Sequence, residues 1–222
     1  MTVQTKPGDR LEREVRIGAP RLAGVLALPA AARAVVAFAH GSGSSARSPR
    51  NRRVAAALGA CGLGTLLFDL LTEREAAFRE NVFDIPLLAR RLQTATRWLE
   101  DEAETRGLRI GYFGASTGAA AALVAAADEP AVGAVVSRGG RPDLASPFLS
   151  SVRAPTLLIV GSCDPVVLDL NRAALAELRC PKELAVVAGA THLFEEPGAL
   201  DEVIALAARW FVTHLLAEEK AP

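Results

Sequence analysis

Three residue types in one chain order carry the chemistry of this sequence. Ser116 lies in Gly114-Ala115-Ser116-Thr117-Gly118, Asp164 in GSCDPVV and His192 in GATHLFEEPG. A serine hydroxyl is a poor nucleophile at neutral pH. It needs a base within hydrogen-bond reach and a third group to orient that base. His192 is the candidate base and Asp164 the candidate orienting acid, in the order Ser, Asp, His. In this arrangement the imidazole takes the proton from Ser116. The carboxylate holds the ring in one tautomer and stabilises its charged form. The chemistry is acyl transfer through a covalent intermediate that water then releases.

G-x-S-x-G alone is a weak signal, and a small-residue turn without chemistry is the competing reading. Its setting strengthens it. An apolar run, RIGYF, precedes the turn and AAAALVAAA follows it. Strand, tight turn and helix are the context in which the motif presents a serine. N–H groups at the start of the helix can then face a developing oxyanion.

The partners are chosen from few residues. His40, His192 and His214 are the only histidines. His214 falls in WFVTHLL of the last helical pattern, where it should pack or face solvent. His40 ends the strand-like AVVAFAH and belongs to a different site. Asp143, in RGGRPDL, and Asp169, expected to begin a helix, compete with Asp164. For Asp164 itself the competing reading is a turn or helix-capping aspartate ahead of Pro165.

A second glycine-rich loop, His40-Gly41-Ser42-Gly43-Ser44-Ser45, follows the third strand-like run. It suits the other half of an oxyanion hole. The expected donors are the backbone N–H groups of Ser42 and Thr117. His40 should brace the loop. A phosphate cradle is the alternative, but neither G-x-x-x-x-G-K-[ST] nor G-x-G-x-x-G spacing is present.

Arg47, Arg50, Arg52 and Arg53 cluster just past that loop, and Arg138 and Arg141 flank Gly139-Gly140. Arg47, Arg138 and Arg141 are the candidates to hold a substrate carboxylate or phosphate. Solvated surface arginines are the competing reading. Cys163, beside Asp164, is read as a small buried residue. Asp69 ends TLLFD and is expected to hydrogen-bond loop backbone. Glu73 and Glu75 follow it and receive no catalytic role.

Elements that position these residues follow from periodicity. Strands are expected at Leu11–Ile17, Leu22–Leu28, Ala34–Ala39, Gly64–Phe68, Arg109–Phe113, Val132–Ser137, Thr156–Val160 and Glu183–Val187. Continuous apolar runs such as AVVAFA and TLLIV suit strands buried on both faces. Helical patterns fall at Asn51–Gly59, Ile85–Arg106, Thr117–Ala127, Leu168–Leu178 and Asp201–Leu216. In the second of these, Leu88, Leu92, Ala95 and Leu99 share one face, with Asp84 as cap and Pro86 in the first turn. The first two strands have no helix between them and should form an antiparallel edge. The expected fold is therefore α/β: a doubly wound, mostly parallel sheet of about eight strands with helices on both faces. Residues 1–9 are expected to be a loose tail and 10–222 a single domain.

Composition removes other classes. The 222 residues include 25 basic and 25 acidic side chains, so no basic excess suggests nucleic acid or an anionic membrane. Half the residues are hydrophobic, enough for a sizeable core. Three scattered cysteines give neither a disulfide framework nor a zinc pair. The polar N-terminus shows no secretory h-region. The alanine-rich run 119–127 is about half the roughly 20 residues that span a bilayer. The expectation is a cytoplasmic protein with a small-molecule ester or acyl substrate, no cofactor and no metal. A homodimer is compatible with the sequence.

From roughly Val15 to Leu216 the chain resembles the α/β-hydrolase superfamily, and within it the dienelactone-hydrolase-like group. HGSGSS at 40–45, GASTG at 114–118 and the Asp164 and His192 segments carry the resemblance. It implies a serine hydrolase of carboxylic esters. Dienelactone hydrolases proper carry a cysteine nucleophile, and Ser116 stands there instead, which favours a general esterase. Only about eighteen residues separate Val136 from Pro155, too few for a substantial cap domain, so an open site is expected. A ligand-binding relative without turnover, an acyltransferase and a peptidase remain the alternatives.

Overall fold

A computed structural model describes residues 11–216. The expected tail at 1–9 lies outside them. Eight strands form one sheet: β1 (Leu11–Ile17), β2 (Leu22–Leu28), β3 (Ala34–Ala39), β4 (Gly64–Phe68), β5 (Arg109–Ala115), β6 (Val132–Arg138), β7 (Thr156–Gly161) and β8 (Lys182–Val187). Their spatial order is β1-β2-β4-β3-β5-β6-β7-β8. β1 pairs antiparallel with β2, and β2 antiparallel with β4; every other pairing is parallel. The antiparallel edge and the doubly wound parallel body match the expectation.

Helices cover both faces. The α1 helix (Pro49–Ala60) and the α7 helix (Ala199–Phe211) pack on one. The α4 helix (Ile85–Asp101), the α5 helix (Thr117–Asp128) and the α6 helix (Pro165–Glu177) pack on the other. Two apolar cores result. Val54, Leu58, Val203 and Phe211 close over Ala134 and Val136. Leu88, Leu92, Ala121 and Leu123 close over Val35 and Tyr112. Strand residues alternate between these cores, as a sheet buried on both faces requires.

Local chemistry sets the boundaries. Asp84 accepts the Leu87 N–H at 2.9 Å and Pro86 sits in the first turn, so α4 starts where its cap predicts. Residues 117–126 of α5 are all buried. Its alanines allow that, because small side chains let a helix lie close to a sheet.

Three departures follow from signals too short to show periodicity. Two single-turn helices, α2 (Glu73–Ala76) and α3 (Arg79–Val82), occupy a segment expected to be loop. A 3-10 segment spans Pro142–Ser151 between β6 and β7. It takes the place where a cap domain would insert, and no large cap is present. The α6 helix begins at Pro165 and not at Leu168. No helix among the described residues is long and apolar enough to cross a membrane.

Asp84→Ala should remove one capping bond and cost about 1 kcal/mol. Urea unfolding should show a lower midpoint with an unchanged slope.

Candidate active site

The elbow begins with steric exclusion. A Cβ on Gly118 would lie 2.1 Å from the Ala39 carbonyl oxygen, and one on Gly114 would lie 2.4 Å from Ala119 Cα. Only glycine lets β5, α5 and β3 approach this closely. Between them Ser116 takes φ 51° and ψ −121°, a backbone state rarely held by a residue with a side chain. Its N–H donates to the Arg138 carbonyl at 3.2 Å, and its own carbonyl accepts from Arg141 N–H at 3.2 Å. The serine is thus tied to the end of β6 at both its backbone groups.

Asp164 and His192 come from loops after β7 and β8, which are sheet neighbours. His192 Nδ1 and Asp164 Oδ2 are 2.7 Å apart. With the carboxylate as acceptor, the ring proton is on Nδ1 and Nε2 is left as a base. Asp164 stands at the N-cap position of α6, yet its side chain makes no capping bond. The capping reading therefore fails for it. The competing aspartates are engaged elsewhere. Asp143 is held by Arg141 through two bonds, and Asp169 lies inside α6 paired with Arg172.

The two loops are sewn together. Ser162 N–H donates to Val187 O, Cys163 N–H to Ala190 O, and Gly189 N–H to Ser162 Oγ. Thr191 and Glu196 close the histidine loop on itself. The buried Phe194 anchors it at φ 55°. Gly139 packs against the histidine ring. A Cβ there would be 3.5 Å from two atoms of the His192 ring, and the preceding carbonyl is the one that holds Ser116 N–H. Among the described residues no hydrogen bond joins Ser116 Oγ to that ring. In ligand-free hydrolases this contact often tightens only with substrate.

The oxyanion loop differs from its expected state. Gly41–Ser44 is a tight turn closed by Ser44 N–H to Gly41 O, with Gly43 at φ 69°. Ser42 N–H, expected to be open, donates to Thr117 Oγ1 at 3.0 Å. Thr117 is the first residue of α5, where backbone N–H groups have no partner within the helix. A Cβ on Gly41 would be 3.0 Å from Ser116 Cβ, so the loop lies directly against the nucleophile candidate.

His40 braces this loop as expected. Its Nε2 accepts the Leu70 N–H at 3.1 Å and its Nδ1 lies 3.1 Å from Gly41 O. The ring is therefore neutral, with its proton on Nδ1. Burial pushes its pKa below the ordinary value, opposed by the Gly41 carbonyl and the Asp69 charge. Asp69 accepts the Ala46 N–H at 2.7 Å, also as expected.

The arginine candidates do not converge. Arg47 is exposed and lines a groove along β1, β2 and β4 that reaches Ser42 and Thr117. Arg141 is taken up by Asp143. Arg138 is buried. Cys163 is exposed rather than buried, because its turn directs it outward while its N–H meets Ala190. His214 stacks near Trp210, with centroids 4.4 Å apart. Among the described residues no group of three His, Cys, Asp or Glu side chains could hold a metal ion.

Strand order, elbow and loop placement together define an α/β-hydrolase. The chain belongs to the dienelactone hydrolase family, whose sequence profile matches residues 23–213. It is similar to a crystal structure of dienelactone hydrolase from Anabaena variabilis, with 52% identity and a TM-score of 0.89, covering 95% of this chain and all of that one. Est1E from Butyrivibrio proteoclasticus shares the fold at 13% identity and a TM-score of 0.78, covering 93% of this chain and 99% of Est1E. A Mycobacterium tuberculosis protein named as a phosphoribosyl transferase is 58% identical over 205 residues, 92% of this chain and 46% of that protein. The chain thus spans about half the length of that relative.

His40 yields a pH prediction. Its folded pKa is depressed, so the fold favours the neutral ring. That stabilisation is present above the ordinary value of 6.5 and is lost as pH falls through the depressed folded value. His40→Ala leaves Leu70 N–H without a partner and should cost on the order of 2 kcal/mol at pH 8. The gap between wild type and variant, measured by urea unfolding, should narrow below pH 6.

Proposed function

We propose that this hydrolase cleaves carboxylic esters through an acyl-enzyme on Ser116. The observation that carries this reading is Asp164. It forgoes its helix cap and meets His192 Nδ1 at 2.7 Å, on a loop whose ring packs against Gly139 beside Ser116. In the proposed reaction Ser116 Oγ attacks the ester carbonyl as its proton passes to His192 Nε2. Thr117 N–H and Ser42 N–H face the oxyanion, with Ser42 turning from Thr117 Oγ1 as charge develops. His192 then protonates the departing alcohol. Water, deprotonated by the same nitrogen, attacks the acyl carbon and releases the acid.

A serine in the elbow favours general ester cleavage over the cysteine chemistry of dienelactone hydrolases proper. The name of the longer relative suggests phosphoribosyl transfer. The turn at Gly41–Ser45 does not favour that reading, since it lacks both phosphate-cradling spacings.

Short p-nitrophenyl esters and a fluorophosphonate probe test the proposal. Ser116→Ala should abolish labelling and lower kcat by roughly 10⁴-fold or more. Labelling that persists in this variant contradicts the assignment. Asp164→Asn should lower kcat by roughly 10³–10⁴-fold. It should leave the urea midpoint nearly unchanged, because the wild-type side chain caps no helix.

A further inference from the structure

Arg138 is a charged side chain buried without a counter-ion among the described residues. It is the last residue of β6 and only 8% exposed. Its Nε and Nη1 are buried and make no hydrogen bond. A buried guanidinium without a partner is strongly destabilising, so native proteins pair nearly all of them. Arg138 follows Ala134 and Val136 in the strand alternation, and these two face the core beneath α1 and α7. Its side chain therefore leaves the sheet toward the α1 helix.

Arg50, in the first turn of α1, is on the same side. Its Nη1 meets Glu195 of the histidine loop at 2.7 Å, and its Nε is buried without a partner. Arg50's charge, second to burial, helps push the Arg138 pKa down to about 10, so the two cations sense each other. Set against Glu195, they leave one positive charge unmet. Glu196 of the same loop bonds neither guanidinium: its Oε1 is taken by Thr191 and its Oε2 makes no hydrogen bond.

We propose that Arg138 and Arg50 form an oxyanion-binding subsite between the end of β6, the start of α1 and the histidine loop. It takes one carboxylate or phosphate group. Each arginine holds donors that no protein group takes, Nε and Nη1 of Arg138 and Nε of Arg50, and an oxyanion seated between them would accept from both side chains. The bound anion would lie one residue from Gly139, against which the His192 ring packs. It is either a free ion or an acidic group on the substrate, and in the second case the subsite selects among the esters proposed above.

Binding is read without turnover, so this inference stands or falls separately from the ester reading. Thermal unfolding is followed as inorganic phosphate replaces chloride at constant ionic strength. The wild-type midpoint should rise and saturate. Arg138→Met should fold, with an equal or higher midpoint in chloride alone, because it removes an uncompensated charge. It should show no phosphate response. Arg138→Lys keeps the charge but loses the separate Nε and Nη1 donors and should need about ten-fold more phosphate. Arg53→Gln removes an exposed cation from the same helix and should respond like wild type. No saturable rise in wild type, or an equal rise in Arg138→Met, overturns the proposal. Kinetics then identify the source. A substrate-borne anion predicts that Arg138→Met raises KM about ten-fold or more for a p-nitrophenyl half-ester of a dicarboxylic acid, with little change for p-nitrophenyl acetate. A free ion predicts similar KM changes for both esters while the phosphate response is still lost.

Discussion

The backbone at Ser116 is held at φ 51°, and such a state costs about 1–3 kcal/mol and persists only where its surroundings impose it. They do so from three sides. Gly114 and Gly118 let β5, α5 and β3 close to distances no Cβ would permit. The end of β6 grips the serine by its N–H and its carbonyl. The Gly41 turn abuts its Cβ. Because α5 is buried on every side, a shift at the elbow would disturb the core beneath it. The strain is thus built into the centre of the molecule, where relaxation is most costly.

The acid and the base depend on this arrangement indirectly. Parallel neighbours deliver their following loops to the same rim, so β7 and β8 bring Asp164 and His192 together however far apart they lie in sequence. Gly161 then allows the loops to touch, since a Cβ there would lie 2.2 Å from the Ala190 carbonyl. Backbone bonds across the loops fix their register before any side chain is considered. The short Asp164–His192 contact follows from that register.

How much of this was legible depended on sequence distance. The elbow was readable because its signal is local: apolar strand, Gly-x-Ser-x-Gly, alanine-rich helix. The doubly wound, mostly parallel sheet with its antiparallel edge followed from alternating elements and buried-strand composition. Asp164 was separable from Asp143 and Asp169 by its place after an apolar strand, though only coordinates show that it declines to cap α6. Contacts between remote segments were not legible. Nothing in the sequence marks that Thr117 Oγ1 accepts from Ser42 N–H, 75 positions away. Nor does it mark that Arg141 turns to Asp143 while Arg138, three residues earlier, turns inward. Side-chain direction at a strand end depends on one residue of register, and a one-residue change reverses it.

The short link between β6 and β7 shapes what the site can recognise. It holds a 3-10 segment where relatives of this fold can insert a cap, so among the described residues no large cap covers the rim. Leu144 in the 3-10 segment, Val166 in the first turn of α6 and Leu193 beside His192 stand exposed. Each is within three residues of Arg141, Asp164 or His192. Apolar side chains exposed together at a rim can shelter the non-reacting part of a ligand. Without such a cap to exclude water, electrostatic contacts at the mouth are screened. A contact made by a side chain buried beneath the rim is screened far less. A charged group that this fold keeps away from solvent, such as Arg138, therefore keeps a longer electrostatic reach than one at the mouth.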